Sequence, residues 1–246
     1  MTQVSQSPVS YSTVSHSLVP RELAPEGPGP LPAPDDEPRL WLVRAAAHRR
    51  AALDAAPLVL DAEERRRTAE FRHEGNRECY VVAHVALRRL LGACLGRPPG
   101  EIELTRAPCP LCGGPHGRPV VADAAIHFSL SHSDGLVLLA VARVPVGVDV
   151  ERLPELRVAD GIVPRLHPAE AAELSVLPPG ERRAAFGRLW TRKEAYLKGL
   201  GTGLARDLSA DYVGAGLHPR REPPGWRIGD VEVPDGYTAA VALAQG

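Results

Sequence analysis

Alternating apolar and polar residues predict strands in several parts of the chain. The clearest alternation covers 126–133 and is followed by the turn pair Asp134-Gly135 and a second apolar run that reaches Val141. This pattern is typical of a β-hairpin. Further strands are predicted at 39–43, 146–151, 209–213, 226–231 and 237–242.

Apolar residues with helical spacing predict helices between these strands. A helical region covers 58–95, with Asp61 as a capping residue and a break near Gly75. A second helix is predicted to begin at Pro168, since proline suits the first turn of a helix. A long helix is predicted over 181–199 and ends in a glycine-rich stretch.

A weak internal repeat divides the chain into two halves. Each repeat has a helix start, a helix that ends in Leu-Gly, and then strands. We therefore predict an α+β fold with two similar α/β halves, 39–142 and 143–246, which are related by a pseudo-twofold axis and enclose a cleft. Residues 1–38 are rich in Ser, Pro, Thr and Gly. They are predicted to form a disordered N-terminal tail, because such a composition supplies few core residues.

Composition and charge exclude several classes of function. The 246 residues carry a net charge of -1, which argues against nucleic acid as the main partner. No apolar run reaches the roughly 18–20 residues that span a bilayer, so no membrane association is expected. The N-terminus does not have the pattern of a secretory signal. With only 4 cysteines in the chain, a disulfide framework is not expected, and a reduced, cytoplasmic setting is predicted.

Lysine is rare in this chain, and both lysines lie in the helix at 181–199. Lys193 and Lys198 stand among 29 lysine and arginine residues. Where arginine is the usual cation, a lysine suggests that a compact ammonium group is needed. Lys193 lies in the middle of the apolar face and therefore needs an anion. The alternative is chance clustering on a solvated helix.

Two carboxylates share one face of the strand at 146–151. Period two puts Asp149 and Glu151 on the same face as Gly147. Such a pair repels itself unless a cation lies between, and hard oxygen ligands suit Mg²⁺. Gly147 is expected to leave room for a ligand beside the acids. The alternative is a solvated strand face.

Two further motifs offer ligands of other kinds. Ser131-His132-Ser133 lies at a strand end, where hydroxyls and an imidazole can converge on an anion. Cys109, Cys112 and His116 have the local spacing of a zinc knuckle. A second ligand pair is missing, so the alternative for this segment is a turn-rich loop with neutral thiols.

Acids, lysines and the Ser-His-Ser strand end together predict a site for a phosphorylated ligand. Transfer of a phosphoryl group requires mainly positioning and neutralisation of charge. The sequence has no glycine-rich nucleotide loop and no Gly-x-Ser-x-Gly motif. These residues therefore predict a Mg²⁺-dependent enzyme that acts on a pyrophosphate or a phosphodiester.

Two long motifs resemble the paired signature of the 4′-phosphopantetheinyl transferases. They are Gly-Val-Asp-Val-Glu at 147–151 and Trp-Thr-Arg-Lys-Glu-Ala-Tyr-Leu-Lys-Gly at 190–199. Upstream, 128–133 and 117–119 resemble further motifs of the single-chain, Sfp-type branch. The motifs keep their order, and the resemblance covers about residues 60–205.

This resemblance implies a reaction and its participants. The 4′-phosphopantetheine group of coenzyme A is transferred to a serine of an acyl, peptidyl or aryl carrier protein, and 3′,5′-ADP is released. Coenzyme A would be the co-substrate and Mg²⁺ the cofactor. The implied clients are carrier domains of fatty-acid, polyketide or non-ribosomal peptide synthases, and the enzyme would be a monomer. The alternatives are another Mg²⁺-dependent enzyme, such as a nuclease or pyrophosphatase, and a non-catalytic coenzyme A binder.

The resemblance also implies roles for individual residues. Metal ligands would be Asp149, Glu151 and Glu194, while Lys198 would stabilise the pyrophosphate and protonate the leaving group. Glu170 and Glu194 are competing candidates for the base. The residues implied in coenzyme A binding are Arg67, Arg77, Arg118, Pro119, Ser131, His132, Lys193 and Lys198. Cys79 occupies a position that is often basic in the family, so recognition of the 3′-phosphate departs from the family pattern.

Overall fold

The computed structural model describes residues 17–218 and 221–245 and has a mixed α+β fold. Its strands are β1 (Arg21–Glu22), β2 (Arg39–Arg44), β3 (Leu104–Arg106), β4 (Pro119–Val121), β5 (His127–Ser133), β6 (Leu136–Ala142), β7 (Val146–Arg152), β8 (Trp226–Asp230) and β9 (Tyr237–Ala244). Its helices are α1 (Ala45–Val59), α2 (Ala62–Glu70), α3 (Glu74–Leu95), α4 (Leu156–Ile162), α5 (Pro168–Ser175) and α6 (Pro179–Leu200).

The strands form two main sheets and one small ribbon. The first sheet has the order β1-β2-β6-β5, and the second has the order β7-β9-β8. A two-stranded ribbon pairs β3 with β4. Apart from β1, which precedes both predicted halves, each main sheet draws its strands from one of them. The pseudo-twofold axis itself stays a prediction.

Three apolar clusters hold these layers together. The first packs α1 and α3 against the first sheet, with Leu90 and Val43 fully buried. The second lies between α6 and the second sheet and includes Phe186 and Leu189. The third is formed mainly by β2, β6, β7 and β9, so strands of both sheets share it. This shared cluster holds β7 beside the first sheet.

Part of the predicted tail is ordered, which corrects the boundary at residue 38. Arg21–Glu22 pairs in parallel with β2, and the Leu23 side chain, 5% exposed, joins the first cluster. Leu18 forms a β-bridge with Val231. The average composition of 1–38 conceals these apolar residues, which reach both halves of the protein. Residues 1–16 lie outside the described residues.

Most predicted elements are present, but α4, β3 and β4 were not predicted, and three further differences follow. Helix α1, which is rich in alanine and includes Pro57, was not predicted. The break between α2 and α3 falls at 71–73, and Gly75 is inside α3. The predicted strand at 209–213 consists of turns and irregular chain.

Candidate active site

Serine side chains of β5 link this strand to the neighbouring strand β7. The Ser129 hydroxyl accepts a hydrogen bond of 3.0 Å from the Val148 backbone N–H. Ser131 donates to Asp149 and Ser133 donates to Glu151, each over 2.7 Å. Because side chains alternate along a strand, serines at every second position meet β7 in register. Ser131 and Ser133 therefore orient the two carboxylates.

Asp149 and Lys198 form the central ion pair of the site. Lys198 Nζ lies 2.6 Å from Asp149 Oδ1 and 3.0 Å from Ser131 Oγ. Asp149 is 1% exposed, while the Lys198 side chain is half-buried. An ammonium group at the edge of solvent is thus held by a buried carboxylate and remains accessible to a ligand.

Glu151 and Glu194 lie near this pair, and their environment disfavours the ionised form of both. Burial raises the pKa of Glu194, and the negative charges of Asp149 and Glu151 raise it further. Burial also raises the pKa of Glu151, although its hydrogen bond from Ser133 acts in the opposite direction. Two carboxylates whose ionisation is disfavoured beside a third are expected to gain from a cation.

These groups surround one open cavity of about 320 Å³. Six predicted site residues line it: Ser131, His132, Asp149, Glu151, Glu194 and Lys198. Two lining residues, Leu130 and Trp190, had no predicted role. Trp190 stands four positions before Glu194, so helical periodicity puts both on the same side of α6. That spacing could have identified Trp190 as a residue of the cavity from the sequence.

His132 lines this cavity as a neutral imidazole. Burial lowers its pKa, and the nearby His84 and Lys198 lower it further. The neutral ring can donate one hydrogen bond and accept another.

The carboxylates fit a magnesium ion. Asp149 Oδ1 accepts hydrogen bonds from Ser131 and Lys198, but the buried Oδ2 atom has no hydrogen-bond partner. A buried carboxylate oxygen without a partner is unfavourable, and a metal ion would satisfy it. Glu151 and Glu194 supply the same hard oxygen donors at the same cavity, and such donors suit Mg²⁺.

Gly147 serves close packing, which corrects the prediction that it leaves room for a ligand. A Cβ atom at Gly147 would lie 1.9 Å from the Ala195 carbonyl oxygen and 2.4 Å from the Gly199 backbone nitrogen. Helix α6 therefore occupies the space beside β7. The contact brings the helix that carries Glu194 and Lys198 directly against the strand that carries Asp149.

Lys193 and Glu170 lie away from the cavity and bind each other, in disagreement with their predicted roles. Lys193 Nζ is 2.8 Å from Glu170 Oε2 and donates to the backbone carbonyls of Leu208 and Asp211. Burial lowers the pKa of Lys193, and Glu170 opposes that shift. In a helix of 3.6 residues per turn, positions five apart differ by about 140°. This spacing indicates that Lys193 and Lys198 point to different sides of the helix and cannot both reach one site.

The chain around 207–217 wraps this buried pair, which explains the missing strand at 209–213. The Val213 backbone N–H donates to Glu170 Oε1 over 2.8 Å. The Ser209 backbone N–H donates to Asp207 Oδ1 over 2.9 Å. Because side-chain carboxylates take these N–H groups, the segment does not form a strand ladder.

Arg118 connects the β3–β4 ribbon to the end of α6. Its guanidinium donates to the Gly199 carbonyl over 2.9 Å and lies 3.3 Å from His127 Nδ1. Its buried Nε atom has no partner, and burial lowers the pKa of the group. Pro119 follows it as an exposed residue of β4. Neither residue lines the cavity around Asp149.

The positions considered for the 3′-phosphate do not line the cavity either. Arg67 is paired with Glu70 at 2.8 Å, and Arg77 with Glu74 at 3.5 Å, on the exposed surface. Cys79 is 6% exposed within the first apolar cluster, and burial raises the pKa of its thiol. A neutral buried thiol is a poor partner for a phosphate.

Comparison with known proteins identifies relatives along most of the chain. A family described as the 4′-phosphopantetheinyl transferase superfamily matches residues 145–237. The 4′-phosphopantetheinyl transferase HetI of Nostoc sp. is 29% identical over 217 residues, which cover 85% of this chain and 88% of the relative. The 4′-phosphopantetheinyl transferase gsp of Aneurinibacillus migulanus is 35% identical over 144 residues, which cover 54% of this chain and 56% of the relative. The 4′-phosphopantetheinyl transferase Sfp of Bacillus subtilis is 25% identical over 194 residues, covering 74% of this chain and 81% of the relative.

Proposed function

The chain belongs to the 4′-phosphopantetheinyl transferase superfamily, and on this basis we propose that it transfers 4′-phosphopantetheine from coenzyme A to a serine of a carrier protein. The observation that carries the proposal is the cavity that combines three carboxylates with Lys198, His132 and Ser131. A metal ion held by the carboxylates, together with the Lys198 ammonium group, would suit a pyrophosphate. The negative charge of a pyrophosphate must be neutralised before a nucleophile can attack its phosphorus.

In this reaction the nucleophile comes from the partner protein. The serine oxygen forms a bond to the phosphorus of 4′-phosphopantetheine, and the bond to the bridging pyrophosphate oxygen breaks. The leaving group is 3′,5′-ADP. We propose that Lys198 stabilises the negative charge that develops on this group and supplies a proton to it, since its ammonium reaches the edge of the cavity.

Glu194 is the better candidate for the base that accepts the serine proton. It lines the cavity, so the hydroxyl of a carrier serine can reach it. Glu170 is fully buried and engaged with Lys193, so a substrate hydroxyl does not reach it. We propose that Glu170 contributes only to the position of α6.

Asp149, Glu151 and Glu194 are the proposed ligands of Mg²⁺, which would neutralise charge on the pyrophosphate. The partnerless Oδ2 of Asp149 supports this assignment. His132 and Ser131 are proposed to orient the phosphates from β5. Arg118 and Pro119 are proposed to border the adenine. Arg67 and Arg77 are proposed to approach the 3′-phosphate from the exposed surface.

The proposed partners are acyl, peptidyl or aryl carrier proteins of fatty-acid, polyketide or peptide synthases. No helix in the described part of the chain is both long and apolar enough to cross a membrane. We propose a cytoplasmic monomer, whose four cysteines are free thiols.

The test is the Mg²⁺-dependent labelling of a panel of apo-carrier proteins by a fluorescent coenzyme A conjugate. The expected result is one modified serine per carrier, a mass increase equal to one 4′-phosphopantetheine, and release of 3′,5′-ADP. A carrier whose acceptor serine is replaced by alanine is the control. If coenzyme A binds but no carrier in the panel is modified, the proposal is wrong.

The alternative of a general phosphodiesterase or pyrophosphatase makes a different prediction. Such an enzyme would hydrolyse coenzyme A or a simple pyrophosphate without a carrier protein. The transferase should instead release 3′,5′-ADP in proportion to the carrier that it modifies. Coenzyme A should also raise the thermal unfolding midpoint of the transferase, because a ligand that binds the native state stabilises it.

A further inference from the structure

The hairpin loop 107–118 holds a cluster of metal-binding side chains. It connects β3 to β4 and is closed by a hydrogen bond of 3.0 Å from the Ala107 backbone N–H to the Arg118 carbonyl. Ligand atoms of Cys109, Cys112 and His116 all lie within 4.8 Å of one another. We propose that these three residues bind one Zn²⁺ ion, with solvent as the fourth ligand.

The three ligand atoms lie close to the separations found in tetrahedral zinc sites. With Zn–S bonds of about 2.3 Å and Zn–N bonds of about 2.0–2.1 Å, ligand atoms of a tetrahedral site lie roughly 3.5–3.8 Å apart. Cys112 Sγ and His116 Nε2 are 3.0 Å apart. A small rotation of exposed side chains is sufficient to reach the metal-bound separation, because Cys112 and His116 are both exposed.

The backbone of the loop already has the shape of a metal-binding turn. The Cys109 carbonyl accepts from the Gly113 N–H over 2.8 Å, and the Cys109 N–H donates to the Gly114 carbonyl over 2.7 Å. Gly113 has a φ of 73°, which glycine adopts without strain. The backbone N–H groups of Leu111 and Cys112 donate to the Cys109 sulfur. These contacts favour the thiolate, which is the form that binds a metal.

A disulfide between the two cysteines explains less of this geometry. It would use Cys109 and Cys112 but would give no role to the His116 ring, whose Nε2 is directed at Cys112 Sγ. Two sulfurs and an imidazole form a soft ligand set that prefers Zn²⁺ to Mg²⁺. The cluster is therefore chemically distinct from the carboxylates of the cavity.

A metal at this position would fix the hairpin against α6. Gly117 follows His116 directly, and a Cβ there would lie 2.4 Å from the Ala107 carbonyl oxygen, so the two sides of the loop are in close contact. The next residue, Arg118, is hydrogen-bonded to Gly199 of α6. Zinc would thus hold the loop in the conformation from which Arg118 reaches the helix.

The experiment measures metal bound to the full chain, independently of transferase activity. Protein purified under reducing conditions is incubated with excess Zn²⁺ and Mg²⁺, desalted, and analysed by mass spectrometry of metals. We expect one zinc per chain, and a loss of at least tenfold in affinity for Cys112→Ser and for His116→Ala. Cys94→Ser removes another thiol and should retain zinc, as should Glu194→Gln, which alters the carboxylate site.

Cobalt substitution tests the ligand identity. Co²⁺ bound by two thiolates and an imidazole should give an intense sulfur-to-metal charge-transfer band and the strong visible bands of a four-coordinate ion. The charge-transfer band should weaken in Cys112→Ser and persist in Glu194→Gln. Zinc removal should expose the loop to limited proteolysis and lower the thermal midpoint.

Three results would overturn the proposal. They are folded wild-type protein that does not retain zinc, a double variant Cys112→Ser/His116→Ala that retains as much zinc as the wild type, and cobalt that binds without a charge-transfer band. A Cys109–Cys112 disulfide that persists in purified protein under reducing conditions counts as the first of these results. Failure of carrier labelling leaves the zinc result unaffected, so the two proposals are tested separately.

Discussion

Lys193 and Glu170 form an ion pair of 2.8 Å in which the two side chains are 3% and 0% exposed. The first half of the chain contains a similar pair, since Arg88 lies 2.6 Å from Glu64 and both are buried. Each acid is the third residue of a short helix with a capping box, and each cation lies on a helix of 22 residues. This shared arrangement supports the predicted relation between the two halves.

Replacing Lys193 by methionine should destabilise the protein strongly. Glu170 would keep its buried charge without a cation, and loss of one partner of a buried pair typically costs about 3–5 kcal/mol. Urea denaturation of Lys193→Met should show a lower midpoint. The double variant Lys193→Met/Glu170→Gln should recover part of the loss. If Lys193→Met instead keeps its stability and raises the KM for coenzyme A, Lys193 acts on the phosphates.

Replacing Lys198 by alanine should reduce turnover while the protein stays folded. Removing one group that stabilises charge in a transition state lowers kcat by about 100- to 1,000-fold. Steady-state labelling of a carrier protein would measure kcat and KM. Arg157→Ala, which removes an exposed cation paired with Glu155, is the control and should be unaffected. Wild-type turnover in Lys198→Ala would contradict the assigned role.

Replacing Glu194 by glutamine should stabilise the metal-free protein and abolish turnover. Burial, Asp149 and Glu151 raise the pKa of Glu194, so its ionised form opposes folding without a cation. The thermal midpoint with a chelator should rise by a few degrees, and the stabilisation by Mg²⁺ should shrink. A lower thermal midpoint in Glu194→Gln would show that the ionised Glu194 carboxylate stabilises the metal-free protein.

The stability difference between wild type and Glu194→Gln should also depend on pH. A raised pKa in the folded state means that the folded protein holds the proton more tightly than the unfolded chain. Wild-type stability should therefore increase as the pH falls through the raised pKa, and the advantage of Glu194→Gln should disappear below the unfolded value. Thermal unfolding of both proteins without metal at several pH values would measure this. A difference that does not change with pH would exclude Glu194 titration as its cause.

Replacing Gly147 by alanine should push α6 away from β7. The added methyl group would meet backbone atoms of Ala195 and Gly199, which cannot rotate aside. Overpacking of this kind costs about 1–3 kcal/mol and should also lengthen the Asp149–Lys198 contact. Denaturation and Mg²⁺ titration of the variant would measure both effects. Gly180→Ala is the matched control, because a Cβ at Gly180 meets no atom within 4 Å. Equal stability of the two variants would contradict the close contact.

Local patterns in the sequence determined the elements that carry the site. Alternation predicted β5 and β7 and put Asp149 and Glu151 on one face, while an apolar run after the turn predicted β6. Helical spacing gave α6, with Glu194 and Lys198 one turn apart. These predictions are correct because strand and helix periods are properties of the backbone and do not depend on distant partners.

Long-range contacts were decided only by the tertiary structure. Lys193 and Lys198 were both predicted to bind phosphates. In the structure, Lys193 instead pairs with Glu170 beneath the segment 207–217, while Lys198 pairs with Asp149. Gly147 is a second example. It was predicted to leave room for a ligand, but the backbone of α6 occupies the space where its side chain would be. A buried charge cannot interact with water and therefore needs an opposite charge nearby. Which opposite charge is nearby depends on the tertiary fold. The sequence by itself determined which chemical groups are present, and the packing of α6 on β7 decided which of them meet in the cavity.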